Sequence, residues 1–410
     1  MNPLPEIHLN LNDYAFVYDP YPRLTELREK TPVFYDPVWN KVFFTRYEDI
    51  SALLRDKRLG RSILHVLSRD ELGWPPPNPL TRDFDHFQEN HILDNEPPKH
   101  TRLKGLFLKA FTPARVEGLR GKIQSIVNAL LDQAEDRGRM DLLHDYAEPL
   151  PVTVIAELLG VPQEDRHLLR PWSGKIVKLY ELGYTEEQAR EANQAVVDFS
   201  NYVKALAEDR RERPQDDLIT ALVQAEEAGD KLTEDELVAN CILLLNAGHE
   251  ATVNGTTAGM LALHRNPEQK KLAVEAAKAD NAEFFRGAVE ELLRYDTPLP
   301  MFERWVLHDL EWRGIPLRRG QEIGLLYASG NRDPRKFPHP DTLDLTRSDN
   351  PHLTFGLGIH YCIGAPLARL ELQTSFQTLL KRLPNIEVVE PVEYTGGFVI
   401  RGHKAMPVEF

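Results

Sequence analysis

The spacing of apolar residues separates this chain into a long helical middle and two flanks richer in strands. From about Pro98 to Tyr295 apolar positions recur every three or four residues, the period of helices packed on a core. One helix stands out. Thr233-Glu-Asp-Glu236 reads as a capping box, and the helical pattern then runs to about His264, where Asn266-Pro267 stops it. That is ~32 residues, or ~48 Å at 1.5 Å each. Such a helix, apolar around Ile242–Leu245 and Met260–Leu263, is expected to cross the centre of the protein. Its middle is different. Asn246-Ala-Gly-His-Glu-Ala-Thr252 puts small and polar residues where a buried helix calls for leucine or isoleucine. Either another helix packs closely against glycine and alanine there, or something flat or reactive lies on that face.

Strand-like runs are short. Lys41-Val-Phe-Phe-Thr45 predicts one near the start, and Trp305-Val-Leu307, Glu322–Tyr327 and Phe398-Val-Ile400 predict others. Gly60–Leu93, with Pro75-Pro-Pro-Asn-Pro79, reads as one long irregular segment of the kind that carries function. No βαβ alternation and no Gly-x-Gly-x-x-Gly appear, which disfavours a doubly wound nucleotide-binding sheet. The expectation is a mainly α fold with small β-sheets. We read residues 1–410 as one domain, β-rich to about 60, helical over about 98–295, and β-rich again over about 296–410.

Composition narrows the function. A net charge of −14 argues against a general nucleic-acid role. Two cysteines, Cys241 and Cys362, are too few for a disulfide framework, a cysteine-built zinc site or an iron–sulfur cluster. The N-terminus has no basic stretch followed by an apolar run, and no apolar segment approaches the ~20 residues of a membrane span. A soluble, cytoplasmic, monomeric protein is expected.

The decisive stretch is Phe355-Gly-Leu-Gly-Ile-His-Tyr-Cys-Ile-Gly-Ala-Pro-Leu-Ala-Arg369. Gly356, Gly358 and Gly364 leave bare backbone on both sides of one cysteine, which permits close approach of a bulky ligand. Pro366 and the residues after it predict a helix starting just beyond Cys362, and a helix N-terminus favours thiolate over thiol. A buried cysteine is more often a small hydrophobe; the stripped surroundings argue otherwise here.

This stretch resembles the haem-binding loop of the cytochromes P450, Phe-Gly-x-Gly-x-His-x-Cys-x-Gly-x-x-Leu-Ala-Arg, at all nine fixed positions. Glu291-Leu-Leu-Arg294 matches the family's Glu-x-x-Arg, and Asp344-Leu-Thr-Arg347 the segment whose arginine completes that network. Asn331-Arg-Asp-Pro334 and Pro97-Pro-Lys-His-Thr-Arg102 also look like family segments. The resemblance implies a P450 fold and haem b (iron protoporphyrin IX), with Cys362 as the iron ligand and Phe355, Gly356 and Gly364 around it. His100, Lys104, Arg304 and His360 become partners of the propionates; the family usually has arginine where Lys104 stands, and lysine offers a point charge rather than a fork. Ala247 and Gly248 would lie over the cofactor.

The implied activity is insertion of one atom of O2 into a C–H bond of a small or medium-sized, largely apolar molecule. Peroxygenase or isomerase chemistry and a non-catalytic haem sensor are the alternatives. Ala247-Gly-His-Glu-Ala-Thr252 is similar to the family's distal motif, with Glu250 at the proton-relaying acid. Ala251 stands where most members have threonine, and Thr252 is ~100° further round the helix. This Glu-Ala-Thr form resembles macrolide hydroxylases, in which a substrate hydroxyl and water fill the gap. By the same resemblance Leu244, Phe87, Ile92, Leu299, Phe302 and Phe398 line the substrate pocket. No flavin or iron–sulfur motif is present, so electrons must come from outside. Residues 99–122 hold seven Lys/Arg and one acid, which suggests a dock for an acidic ferredoxin around Lys104, Lys109 and Arg115.

Overall fold

The computed structural model describes residues 4–180, 184–227 and 232–410. It divides into two compact units, each discontinuous in sequence: one built from the chain through Leu67, Val127–Glu148 and Ala251–Phe410, the other from Ser68–Ile126 and Pro149–Glu250. This division does not follow the three portions read along the sequence.

The first unit holds a five-stranded sheet in the order Val33–Asp36, Lys41–Phe44, Glu322–Leu325, Phe302–Val306, Leu59–Gly60. Lys41–Phe44 and Glu322–Leu325 run parallel, with Phe43 opposite Gly324. A side chain at Gly324 would collide with the Phe43 ring, so the glycine is what lets that ring lie on the sheet. Val42, Phe44, Ile323, Leu325 and Val306 bury one face against Ile50, Leu53 and Leu353. Burial of this kind stabilises by roughly 25 cal/mol per Å2 of apolar surface. Three helices, Pro267–Lys278, Ala282–Tyr295 and Ala365–Arg382, pack on one another beside it.

The second unit is helical. Glu186–Glu212 begins at a capping box formed by Thr185 and Gln188 and packs on Leu169–Ile176, where Trp172 stacks on Phe199 at 5.2 Å. Helices Lys99–Ala110, Pro149–Leu159 and Leu218–Glu227 complete it.

The long helix spans Glu234–Arg265, 32 residues, and its residues through Glu250 belong to the second unit and the rest to the first. The expected cap is present: Thr233 N–H donates to Glu236 Oε2 at 2.9 Å, and Thr233 Oγ1 accepts from Glu236 N–H at 3.2 Å. Two expectations need correcting. Gly60–Leu93 is not irregular throughout, because Arg82–Asn90 forms a helix preceded by a short 3-10 turn at Pro79–Thr81. Phe398-Val-Ile400 is not a strand; it lies between the two partners of a bridge, Tyr394 and His403, and ladder pairing comes only later, where Pro407–Glu409 joins Arg139–Asp141 and Glu387–Val388, while Phe398 turns inward onto Phe16 at 4.7 Å. Interior packing, rather than a ladder, uses those apolar side chains.

Candidate functional site

The cysteine loop is held from several sides. Thr354 Oγ1 donates to the Leu293 carbonyl at 2.9 Å, and Leu353 N–H donates to Asn331 Oδ1 at 2.7 Å, which fixes the loop's entry. Gly356 and Gly358 have φ of +64° and +75°, where glycine is favoured. Gly358 has a second reason to be glycine: a Cβ there would strike the Leu54 carbonyl. Cys362 N–H closes the loop on the Phe355 carbonyl at 3.0 Å, and helix Ala365–Arg382 starts three residues later with Gly364 as its cap. Cys362 is exposed. The other cysteine contrasts with it: Cys241 is wholly buried, and desolvation, aided by the charge of Asp217, pushes its thiol up to about 12. Of the two, only Cys362 is placed to act as a ligand.

A clamp braces the loop from the side. Arg369 donates twice to Glu290, at 2.8 Å each, lies over the Phe355 ring at 4.4 Å, and donates to the Tyr361 hydroxyl at 3.0 Å. His352 Nε2 is 3.1 Å from the same carboxylate. Burial alone would raise Glu290; His352 and Arg369 outweigh it and hold the carboxyl at about 2. Behind the clamp, Glu291 and Arg294 form a fully buried bidentate pair at 2.7 and 2.8 Å. Arg347 adds a third member, Nε to Glu291 Oε2 at 3.0 Å, and Arg294 also binds the carbonyls of Asn331 and Pro340. The network expected from Glu291, Arg294 and Arg347 is therefore formed.

Arg304, on strand Phe302–Val306, hydrogen-bonds to Tyr327. The Tyr327 hydroxyl and the His360 carbonyl both lie near Gly356, so Arg304 reaches the neighbourhood of the cysteine loop through Tyr327. Phe302 sits between cations, with the Arg61 and Arg304 guanidiniums 4.3 and 5.5 Å from its ring centre. Leu299 is half-buried, whereas Phe398 is packed in the interior against Phe16.

In the second unit His100 is buried and Lys104 half-buried, one turn apart on helix Lys99–Ala110. Phe87 and Ile92 are both buried: Phe87 packs on Phe84 and His91, and Ile92 N–H donates to Asn240 on the long helix. The basic stretch is less bare than its sequence. Among its cations Arg102 faces Glu236, Arg115 faces Asp216, Arg120 faces Glu117 and Lys122 faces Glu157.

The long helix is buried from Glu236 to Leu263 except at Leu244, Ala247, Gly248, Glu250 and Ala251. Leu244, Ala247, Gly248 and Ala251 follow i, i+3, i+4, i+7 and form one stripe, with Ala247 fully open. An exposed alanine in the middle of a buried helix marks space that protein does not fill. Gly248 lies at the stripe's edge: a Cβ there would come within 2.6 Å of Ile155, so close helix packing explains this glycine. Thr252 is buried, outside the stripe. His249 is buried too, its ring 3.9 Å from the Glu250 carboxylate. Within the first unit, the exposed sulfur of Cys362 with Arg304 and His360 near the same loop suits an anionic, iron-bearing group. The reading of the sequence missed Arg369, Glu290 and His352 as a unit. Among the described residues, no cluster of three or more His, Cys, Asp or Glu could hold a metal ion by itself, and no helix is long and apolar enough to cross a membrane.

The family model for cytochrome P450 matches residues 60–390. The polyketide biosynthesis cytochrome P450 PksS of Bacillus subtilis (strain 168) is 39% identical over 404 residues, covering 96% of each chain. Mycinamicin IV hydroxylase/epoxidase of Micromonospora griseorubida is 37% identical over 399 residues, covering 94% of each. Among solved structures, P450BioI in complex with an acyl carrier protein ligated to hexadec-9Z-enoic acid superposes with a TM-score of 0.87 at 35% identity, covering 97% of this chain and 100% of that one.

Proposed function

This chain belongs to the cytochrome P450 family and is a haem-dependent monooxygenase, and from that premise we propose that it hydroxylates a medium-sized, largely apolar molecule with a polar group close to the oxidised carbon, using electrons from an acidic ferredoxin. The observation that carries the substrate reading is Ala251: the long helix opens its stripe at a residue with no hydroxyl, while the nearest threonine, Thr252, is buried.

A haem bound through a thiolate supplies the activation of dioxygen for insertion into a C–H bond. The rest falls to side chains of this chain. Cys362, exposed at a helix start, provides the thiolate, and the clamp around Glu290 and Arg369 keeps its loop in place. Arg304 and His360 are the charged and donor groups suited to carboxylates, Arg304 being oriented through Tyr327. The same role for His100 and Lys104 rests on the family resemblance. Glu250 is the acid available on the open side of the helix to pass protons inward. Its presence favours monooxygenation over the peroxygenase alternative. An Ala251 methyl donates no hydrogen bond, so a hydroxyl or water brought with the substrate must stand in. Relatives named for polyketide biosynthesis and for mycinamicin oxidation support an oxygen-bearing substrate.

Two experiments test these points. In Ala251→Thr the fraction of electrons recovered as product should change by less than about twofold with an oxygen-bearing substrate; a large improvement would remove substrate assistance. Reversing Lys109 and Arg115 to glutamate should slow first-electron transfer from a ferredoxin by about tenfold at low salt and much less at high salt. The Asp216 contact of Arg115 already offsets part of that charge. An unchanged rate at low salt would move the dock elsewhere.

A further inference from the structure

The start of helix Tyr21–Lys30, the last turns of the long helix and the segments around Tyr295, Arg332 and Arg401 enclose a cleft of about 550 Å3. All of its lining residues belong to the first unit, and neither Cys362 nor any residue of its loop is among them. The volume lies within the range of small-molecule sites, roughly 300–1,000 Å3.

Two arginines on the wall, Arg332 and Arg401, are each only 5% exposed. The rings of Tyr21 and Tyr295 lie 3.9 Å from the Arg332 guanidinium and cover its faces, which leaves the edge that carries the N–H groups. From that edge Nε and Nη2 donate to the Tyr295 carbonyl at 3.0 and 2.7 Å, and Nη1 donates to Asp341 at 3.0 Å. Arg401 lies over the Tyr394 ring at 4.3 Å and donates to the carbonyls of Val17 and Tyr18 and to Asp296, at 2.6, 2.9 and 2.5 Å. A guanidinium has five N–H donors, and each of these uses three. Each therefore keeps two N–H groups for which no described residue supplies an acceptor. Buried donors of this kind are costly to leave unmet.

Charge decides what suits them. Arg332 is paired with Asp341, Arg401 with Asp296, and Arg265, the third arginine of the lining, with Glu390. Asp19 adds a further carboxylate to the wall. The cations are thus already matched, so an anion gains no net attraction and meets Asp19. A cation brings more donors to a place short of acceptors. An uncharged oxygen acceptor meets neither objection, and Leu261, Ala262 and Pro22 offer an apolar surface to the rest of such a molecule.

We propose that this cleft is a second small-molecule site, separate from the cysteine loop, which takes an uncharged ligand bearing a carbonyl oxygen on an apolar body, with the spare N–H groups of Arg332 and Arg401 as its donors. The site does not rest on the monooxygenase reading and would stand if that reading fell.

The test uses the haem-loaded protein with 4-phenylimidazole present in excess to occupy the iron. Four probes on one diphenyl frame are titrated by calorimetry: benzophenone, diphenylmethane, diphenylacetate and aminodiphenylmethane. Benzophenone should bind one molecule per chain, about tenfold more tightly than each of the other three. Ala262→Phe, which fills the cleft and removes no charge, should abolish that binding. Arg332→Lys keeps the charge but loses the fork, and should reduce the preference over diphenylmethane to less than about threefold. Crystals of the parent soaked with 4-bromobenzophenone locate the site without any variant, so a variant that fails to fold leaves the proposal testable. Anomalous bromine signal between Ala262 and Arg332 is the expected result. No benzophenone binding, or bromine only elsewhere in the molecule, would show that water alone fills the cleft and overturns the proposal. Equal or tighter binding of the hydrocarbon, the carboxylate or the amine overturns it as well, since each contradicts the assigned ligand chemistry.

Discussion

Replacing Cys362 by serine is expected to abolish the strongly red-shifted Soret band of the reduced carbon monoxide complex and to reduce hydroxylation to background, while leaving the fold intact. The expectation follows from where the sulfur stands. Cys362 is exposed, so its side chain supports no core, and its backbone N–H bond to Phe355 does not depend on the side chain. Gly358 and the clamp of Arg369 on Glu290 and Phe355 continue to hold the loop. A serine hydroxyl is a poor donor of electron density compared with thiolate, and that donation is what favours oxygen activation. Far-ultraviolet circular dichroism of the variant should match the parent. A red-shifted band of undiminished intensity in the serine variant would show that another residue holds the iron.

Breaking the Glu291–Arg294–Arg347 network should have the largest effect on stability. Glu291 and Arg294 are fully buried and Arg347 is largely covered, and Glu291 accepts from both arginines and from Asn350. Removing Glu291 leaves two guanidiniums in the interior without their carboxylate. Breaking a buried pair in this way costs about 3–5 kcal/mol. Glu291→Ala should therefore lower the unfolding free energy of the haem-loaded protein by that amount in urea titrations, with little change in the slope. The network also carries Arg294's bonds to the carbonyls of Asn331 and Pro340, and Asn331 holds the entry to the cysteine loop. Haem retention should fall along with stability. A loss below about 1 kcal/mol, the range of an exposed pair, would show that water replaces the carboxylate.

Much of this was legible in the sequence where a local rule decides the outcome. Thr233 and Glu236 announce the long helix, Asn266-Pro267 ends it, and the glycines around Cys362 mark a loop that accepts no side chains. What escaped depends on contacts between distant segments. Glu371, in the helix after the cysteine, is buried, and desolvation pushes its carboxyl up to about 8. Phe398 packs on Phe16, a contact that spans nearly the whole chain. The basic run at 99–122 looks bare only because Glu157, Asp216 and Glu236 lie far along the chain. The site was visible as a motif; its supports were visible only as a fold.

Gly358 touches the Leu54 carbonyl, and strand Lys41–Phe44 pairs with Glu322–Leu325. The loop carrying the sulfur is thus shaped by a segment about three hundred residues earlier in the chain. Contacts of such separation form late, because the intervening loop must close before they repay its entropy. A nascent chain still on the ribosome has its first sixty residues outside long before the cysteine emerges. The cysteine loop therefore takes its final shape only once these two distant segments have met.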